Sequence, residues 1–443
     1  MSFENLGRGL LGVIILLGIC FLFSTSRKSI NWRLVAGGIF LQVFLAVAIL
    51  NVNFVADFVG WIASAFVTVI GFTHEGSRLI FGNLVEPENG YGLAFSVLPT
   101  IIFVSALTSV LYYLGVLQWI VYGFAWVMKR LMRLSGAESL AMAANVFVGQ
   151  TEAPLVVKPY IPKMTKSEIM ALMTGGMATI AGSVFAIYVA MVGGTDPAGQ
   201  QIVAKQLLTA SMMNAPAALL IAKILVPEQD EIDENLFVPR DKQGTNLLDA
   251  LANGTTQGLK LALNVAAMLL VFIAVIAMIN WFFGMLGGIG GDPENGQPGW
   301  IDGMVSNASG GVFSGLSLAS IIGFVFAPLG WVIGGEPGDI LQLGQLLGTK
   351  MVATEFIAYQ NLGGMKETLA PKSLFLATFA LCGFANFGSI GIQLGGIGSL
   401  APEQRPTLAA LGVKAMLAGT LASLLTATIA GMFFVAPGAA AAG

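Results

Sequence analysis

The sequence predicts an all-α polytopic membrane protein with about eight transmembrane helices and two re-entrant hairpins, arranged as an inverted internal repeat. Three observations predict it. The chain is 56% hydrophobic and 10% charged, with a mean hydropathy of +0.82. A soluble domain carries about 25% charged residues, so this one cannot keep a water-facing surface of ordinary size. Its apolar segments have helical spanning length rather than the alternation of barrel strands. Short polar strings also recur in the same order at a nearly constant offset.

The elements follow in order. Apolar segments of spanning length fall near 8–25, 35–55, 93–118, 168–194, 203–226, 312–335, 372–398 and 407–435. The first resembles a signal peptide. Phe23-Ser24-Thr25-Ser26 offers no small-residue cleavage site, and a second span follows closely, so it reads as a retained helix. Stretches 56–74 and 257–286 are apolar but lack clear ends. Stretches 138–162 and 340–361 are interrupted by Gly, Pro or charge, and 227–250 is polar. The 56 Gly and 19 Met suit close helix packing in lipid.

Arg27, Lys28, Arg33, Lys129, Arg130, Arg133, Lys163 and Lys166 mark cytoplasmic loops. Asp196, Asp292, Glu294 and Asp302 lie in loops without Lys or Arg, which are expected outside. Eight full spans then put both termini outside, provided 257–286 does not cross fully. The expected division is N-terminal spans with an interfacial and a scaffold helix (1–137), a first transport half (138–226), a cytoplasmic linker (227–256), an interfacial segment with a scaffold helix (257–337) and a second transport half (338–443).

Net charge is −3, which implies no nucleic-acid partner. Cys20 and Cys382 lie in separate apolar runs and form neither a disulfide framework nor a metal spacing. His74, the single histidine, reads as a headgroup-level residue.

The repeat is carried by three pairs. Glu86-Pro87-Glu88-Asn89-Gly90 recurs as Asp292-Pro293-Glu294-Asn295-Gly296, 206 positions on (292 − 86). Thr151-Glu152 recurs as Thr354-Glu355, 203 on (354 − 151), and Gly182-Ser183 as Gly388-Ser389, 206 on (388 − 182). Inverted repeats with broken helices mark secondary transporters and place the substrate near mid-membrane.

Three polar centres interrupt the apolar sequence. Residues 138–162 have arms too short to cross, so a hairpin entering and leaving on one side is expected, its tip buried in protein or lining a wet cavity. Gly149 permits the turn, Thr151 suits the cap of the second arm and Pro154 its first turn. A capping role alone would explain one oxygen, whereas Gln150, Thr151 and Glu152 stand consecutively. A carboxylate at this depth costs about 2.5–3.5 kcal/mol or more, which favours a functional role. The second centre, residues 350–361, repeats Thr354-Glu355. An ion pair of Glu355 with Lys350 competes as an explanation, at a spacing poor for a helix face. The third, residues 383–396, carries Asn386, Ser389 and Gln393 among glycines, and its mate carries Thr179 and Ser183. Serine and threonine alone are explained by bonds to their own backbone; Asn386 is not.

Two opposed hairpins would bring Glu152 and Glu355 together, and two bare carboxylates need donors or a cation between them. No nucleophile–base pair, metal cluster or phosphate loop accompanies them, so the pattern excludes the common catalytic sets. It suits a neutral, hydroxyl-rich molecule. Glu355, Asn386 and Ser389 can hold vicinal hydroxyls, Gln150 and Thr151 can read the edge of a base, and Phe384 and Val184 can wall the site.

At these residues the chain resembles the concentrative nucleoside transporter family. The strings are NVFVGQTEAPLVVKPYIPKMT (145–165), EFIAY (355–359) and LCGFANFGSIGIQLGGIGSLAP (381–402), and the resemblance runs from first span to last. It implies a homotrimer in a bacterial inner membrane, each protomer with a scaffold and a transport part moving like an elevator. Carried over, Gln150, Thr151, Glu152 and Val184 face the nucleobase; Glu355, Asn386 and Ser389 bind the ribose, with Phe384 near. A co-transported Na+ would be held by the Asn145 side chain, the carbonyls of Val148 and Ile180, and the Thr179 hydroxyl. Two departures are Thr354, where the family usually has Asn, and Gly388, where many members have Ser. Sodium–nucleoside symport is the expected activity. Proton-coupled symport, a passive channel and a polytopic membrane enzyme compete with it; the inverted broken helices disfavour the channel and the missing catalytic set the enzyme.

Overall fold

A computed structural model describes residues 3–85, 94–95, 98–132, 134–150, 152–194, 196–232, 244–291 and 297–435. The Glu86–Gly90 and Asp292–Gly296 strings and Thr151 lie outside these residues.

Among the described residues the chain is nearly all helical. Helix α1 (Phe3–Leu22) and α2 (Trp32–Asn51) are apolar and long enough to cross a membrane; Asn31 caps α2 by accepting from the backbone of Arg33 and Leu34. Helix α3 (Asn53–Phe81), in the stretch that lacks clear ends in sequence, is one 29-residue helix of spanning length. The predicted span 93–118 differs from the structure. Helix α4 (Leu98–Tyr113) bends by 78° into α5 (Val116–Met132), with Gly115 at φ +82° in the joint. That backbone region favours glycine. Helix α5 buries Leu117, Val121, Ala125, Met128 and Met132 along one stripe and ends at Lys129 and Arg130.

From here the two halves share one plan. In the first, α5 leads into the short hairpin arms α6 (Gly136–Asn145) and α7 (Ala153–Val156). A span broken into α8 (Lys166–Ala178) and α9 (Gly182–Gly193) follows, then the long α10 (Pro197–Leu225). The connecting region differs from the expected division. Asn246 caps a 41-residue helix, α11 (Leu247–Gly287), which begins inside the stretch read as linker and continues through 257 unbroken. At about 1.5 Å per residue it is roughly 60 Å long, about twice the hydrocarbon thickness. After α12 (Trp300–Ala308) the plan repeats. Helix α13 (Leu318–Val332) leads into hairpin arms α14 (Ile340–Val352) and α15 (Glu355–Gly364). The broken span α16 (Pro371–Leu381) and α17 (Phe387–Leu400) follows, then α18 (Arg405–Met432). Among the described residues five helices are long and apolar enough to cross, six if the bent pair is one span.

The halves interlock. Helix α8 packs on α18, α16 on α10, and α10 on α18. The two breaks also touch each other. Gly383 sits at φ +130°, and a Cβ there would lie 2.6 Å from the Ala178 carbonyl oxygen, so only glycine lets the breaks meet.

Breaking a helix in hydrocarbon frees carbonyls that no water can satisfy. Here one side chain serves both breaks: Asn214 Nδ2 of α10 donates to the carbonyls of Ala178 (2.7 Å) and Cys382 (3.0 Å). At the second break, Ser423 Oγ also donates to Cys382 (2.8 Å), Lys350 Nζ to Ala380 (2.9 Å) and Tyr359 to Thr378 (2.9 Å). The Lys350 ammonium therefore sits at the C-terminal end of α16, where the helix dipole favours a cation. A second buried lysine, Lys223, binds Glu138, Glu228 and Ser167, joining the end of α10 to the starts of α6 and α8.

Opposite the hairpins, α4 and α11 cross closely. A Cβ on Gly254 would lie 2.8 Å from Ala106 Cα, and one on Gly258 2.7 Å from Ile102 Cα. Ser109 Oγ donates to the Ala250 carbonyl at 2.8 Å. Small residues at helix interfaces in lipid permit such an approach.

Two expectations follow. Asn214→Leu strips the shared donor from two buried carbonyls, each costing about 1–3 kcal/mol unpaired. The detergent-solubilised variant should lose about 2 kcal/mol or more of stability, and an unchanged denaturation midpoint would show the bridge to be dispensable. Glu228 lies beyond the end of α10. Burial pushes its carboxyl up, but the Lys223 ammonium and the Lys223 and Thr165 hydrogen bonds outweigh this and hold it below the usual 4.5. A depressed carboxyl stabilises the fold above its unfolded pKa and ceases to as pH falls through the folded one. Wild type should thus melt above Glu228→Gln at pH 7, and the two curves should converge below about pH 4.5.

Candidate transport site

Each site residue is placed by a break or a tip. Glu355 opens α15 directly after Thr354, whose hydroxyl caps the helix by accepting from Ile357 N at 3.3 Å. Asn386 caps α17: its Oδ1 accepts from Ser389 N at 2.9 Å. This fixes the amide orientation, so Nδ2 faces Glu355 Oε2, to which it donates at 2.7 Å. The other oxygen, Oε1, accepts from Tyr188 of α9 at 3.0 Å. Both partners are donors, as an ionised carboxylate requires.

A second chain links the halves through amides. Gln393 Nε2 donates to the Met173 carbonyl (3.0 Å) and to Gln150 Oε1 (3.1 Å). The carbonyl sets the polarity of the run, leaving Gln150 Nε2 to donate to Ser389 Oγ at 3.0 Å. The Ser389 hydroxyl accepts there, so its own hydrogen is free for another acceptor. Glu152, half-buried, accepts from the backbone N–H of Gly149 at 3.2 Å. The position before α7 is Glu152, which makes no side-chain cap bond but accepts from its own turn; the reading of Thr151 as the cap lies outside the described residues.

Gln150, Glu152, Val184, Glu355, Phe384, Asn386 and Ser389 all border one cavity of about 520 Å³. That lies within the range of roughly 300–1,000 Å³ for small-molecule sites. The two carboxylates thus meet on one space, as the hairpin argument requires. Lys350 is turned away from Glu355 and onto α16, which disposes of the competing ion-pair explanation.

Asn145, Val148, Thr179 and Ile180 are buried where the end of α6 meets the first break. Gly182 N donates to the Phe147 carbonyl at 3.2 Å, joining hairpin to break. Thr179 Oγ donates to the Gly175 carbonyl at 2.8 Å. Among the described residues neither Oδ1 nor Nδ2 of Asn145 has a partner.

Sequence reasoning did not assign Tyr188 or Gln393 to the site, nor Ser105, Gln257, Lys260 and Asn264, which border the cavity from α4 and α11. Some signal existed. Tyr188 stands one turn after Val184 and Gln393 one turn after Ser389, on the same faces. Gln257, Lys260 and Asn264 form a polar stripe on an apolar helix. Which wall they join is decided by packing alone.

An inverted repeat whose broken spans and hairpin tips border one largely apolar cavity, with polar groups from both halves at its wall, defines a membrane transport protein. Family models described as Na+ dependent nucleoside transporter N-terminus (residues 11–84), nucleoside recognition (94–195) and Na+ dependent nucleoside transporter C-terminus (206–431) match the chain. The chain belongs to the Na+-dependent nucleoside transporter family, whose members are transporters and not enzymes. It is 41% identical to an uncharacterized transporter of Haemophilus influenzae over 98% of both chains. It is 35% identical to the rat sodium/nucleoside cotransporter 1, covering 96% of this chain and 64% of that one. Among solved structures, CNTnw in an inward-facing substrate-bound state is 40% identical with a TM-score of 0.84, over 97% of this chain and 98% of that one. An outward-facing variant of CNTnw is 38% identical with a TM-score of 0.84, over 98% of both.

Proposed function

We propose that the protein imports nucleosides such as uridine across a bacterial inner membrane by sodium symport, as a homotrimer. The observation that carries this reading is the run of fixed polar groups, Glu355–Asn386 and Ser389–Gln150–Gln393, drawn from both halves onto one cavity. Glu355, Asn386 and Ser389 offer two acceptors and donors, the complement of a vicinal diol. Gln150 and Thr151, with Glu152 beside them, are assigned to the base edge, and Val184 and Phe384 to its faces. A site built to hydrogen-bond hydroxyls rejects analogues lacking them, because its own buried groups are then left unpaired.

Sodium is preferred to a proton on one observation. Asn145 buries an amide with neither atom paired among the described residues, an arrangement native proteins rarely leave unexplained. We assign its Oδ1, with the Thr179 hydroxyl and the Val148 and Ile180 carbonyls, to an all-oxygen set suited to a hard cation. The hairpins and broken spans (138–226 and 338–443) form the moving part of an elevator in this reading, and the tightly crossed α4 and α11 belong to the scaffold. The Asn145 site borders the Gln150 tip, so ion binding would order the tip that the base contacts, which couples the two ligands.

The test is uptake of radiolabelled uridine into sealed vesicles with and without a sodium gradient. Accumulation that requires sodium is expected; accumulation driven equally by a pH gradient alone would transfer the coupling to protons. Glu355→Gln should reduce concentrative uptake by about a hundredfold or more, as expected for losing a buried charged partner. Full uptake by that variant would remove Glu355 from ribose binding. Asn145→Ala should raise the sodium concentration for half-maximal uptake by roughly tenfold, and an unaltered sodium response would exclude Asn145 from the ion site.

A further inference from the structure

We propose that Ser211, on α10, is a positioning residue for the sodium site: its hydroxyl holds the hairpin turn that carries Asn145 and Val148. This rests on the sodium reading above and deepens it.

The two walls of that site come from different elements. Asn145 ends α6, and Thr179 and Ile180 follow α8. The walls meet at Gly175. A Cβ there would lie 3.2 Å from Asn145 Nδ2, and the Gly175 carbonyl accepts from Thr179 Oγ at 2.8 Å. Metal–ligand distances hold to within about 0.2 Å, so affinity depends on what keeps the two walls in register.

Helix α10 does this from behind. Ser211 Oγ donates to the Val146 carbonyl at 3.2 Å, and Asn214 Nδ2, three residues on, donates to the Ala178 carbonyl at 2.7 Å. Val146 adjoins Asn145, and Ala178 adjoins Thr179. One turn of one helix therefore grips both walls. The hairpin turn is pinned again where Phe147 accepts from Gly182 N at 3.2 Å. The Val146 and Phe147 carbonyls are thus spent, while among the described residues no backbone N–H donates to the carbonyl of Val148 or of Ile180. Fixing two consecutive peptide units sets the direction of the third.

Ordinary helix bonding does not explain Ser211. A hydroxyl inside a helix commonly bonds the carbonyl four residues back, as Thr209 of the same helix does to Lys205 at 2.7 Å. The buried Ser211 instead reaches a residue 65 positions away. At 3.2 Å its bond is long for a hydroxyl donor, so it adds little to fold stability; what it fixes is the peptide unit beside Asn145. Partners behind a metal ligand act on affinity in this way.

The test uses purified full-length protein, wild type against Ser211→Ala, with choline replacing sodium to hold ionic strength. Two midpoints are read: the sodium concentration for half of the sodium-induced rise in melting temperature in detergent, and that for half-maximal uridine uptake in proteoliposomes. Both should rise by about threefold or more in the variant. The sodium-free melting temperature should stay within about 2 °C, and the uridine KM at saturating sodium within about twofold. An unchanged sodium midpoint overturns the proposal. So does an equal loss of melting temperature and uridine affinity at every sodium concentration, which marks a structural role. If the Ala variant does not fold, Ser211→Cys, close in volume and a weaker donor, reads the same midpoints with the same outcomes. A wild type whose melting and uptake both ignore sodium defeats the sodium reading, and this proposal with it. A sodium-dependent wild type with an identical sodium response in the variant defeats the Ser211 assignment alone.

Discussion

The rest of this structure depends on the need to satisfy backbone carbonyls where two helices break inside an apolar protein. Without water, each freed carbonyl must find a donor from the protein. Asn214 serves both breaks with one amide, and Ser423, Lys350 and Tyr359 complete the second. The breaks can then meet at Gly383 and release Asn386 and Thr179 from regular helix. The polar side chains facing the cavity exist because these carbonyls are paired behind them.

The same economy explains the wiring across the repeat. Glu355 is held by Tyr188 from the other half, and Gln150 by Ser389 and Gln393 from the other half. Neither half contains a finished site. A backbone carbonyl, that of Met173, sets the direction of the amide run, so donors and acceptors face the cavity in a defined order. Buried networks of this kind specify one arrangement because any flipped member leaves a group unpaired.

Charge is divided by the same logic. Lys223 and Lys350, both buried, are committed to structure: the first to Glu138 and Glu228, the second to the end of α16. Glu152 and Glu355 receive neutral donors instead. Lysine–carboxylate pairs at the tips would neutralise the groups that must remain available to ligands. Lys223 and Lys350 thus brace the frame, while Lys260 is the lysine that borders the cavity among the described residues.

Much of this was legible in the linear chain. Composition and apolar run length determined a polytopic helical membrane protein, because the hydrophobic effect acts on the sequence wherever it folds. Polar residues inside apolar runs marked Gln150, Glu152, Glu355, Asn386 and Ser389, because burying such groups is costly enough to need a reason. The offset strings showed two halves. Other features were not legible. The 78° bend after Tyr113 and the continuity of α11 across residue 257 depend on what each helix packs against, as does the role of Lys350. Tyr188 is not assigned to the site from sequence, and only the fold brings the second hairpin's carboxylate to 3.0 Å from its hydroxyl. Sequence alone determined which residues are too polar to be left in hydrocarbon without a purpose. Only the tertiary structure decided their partners, because hydrogen bonds act over about 3 Å and the groups they join here are up to 243 residues apart.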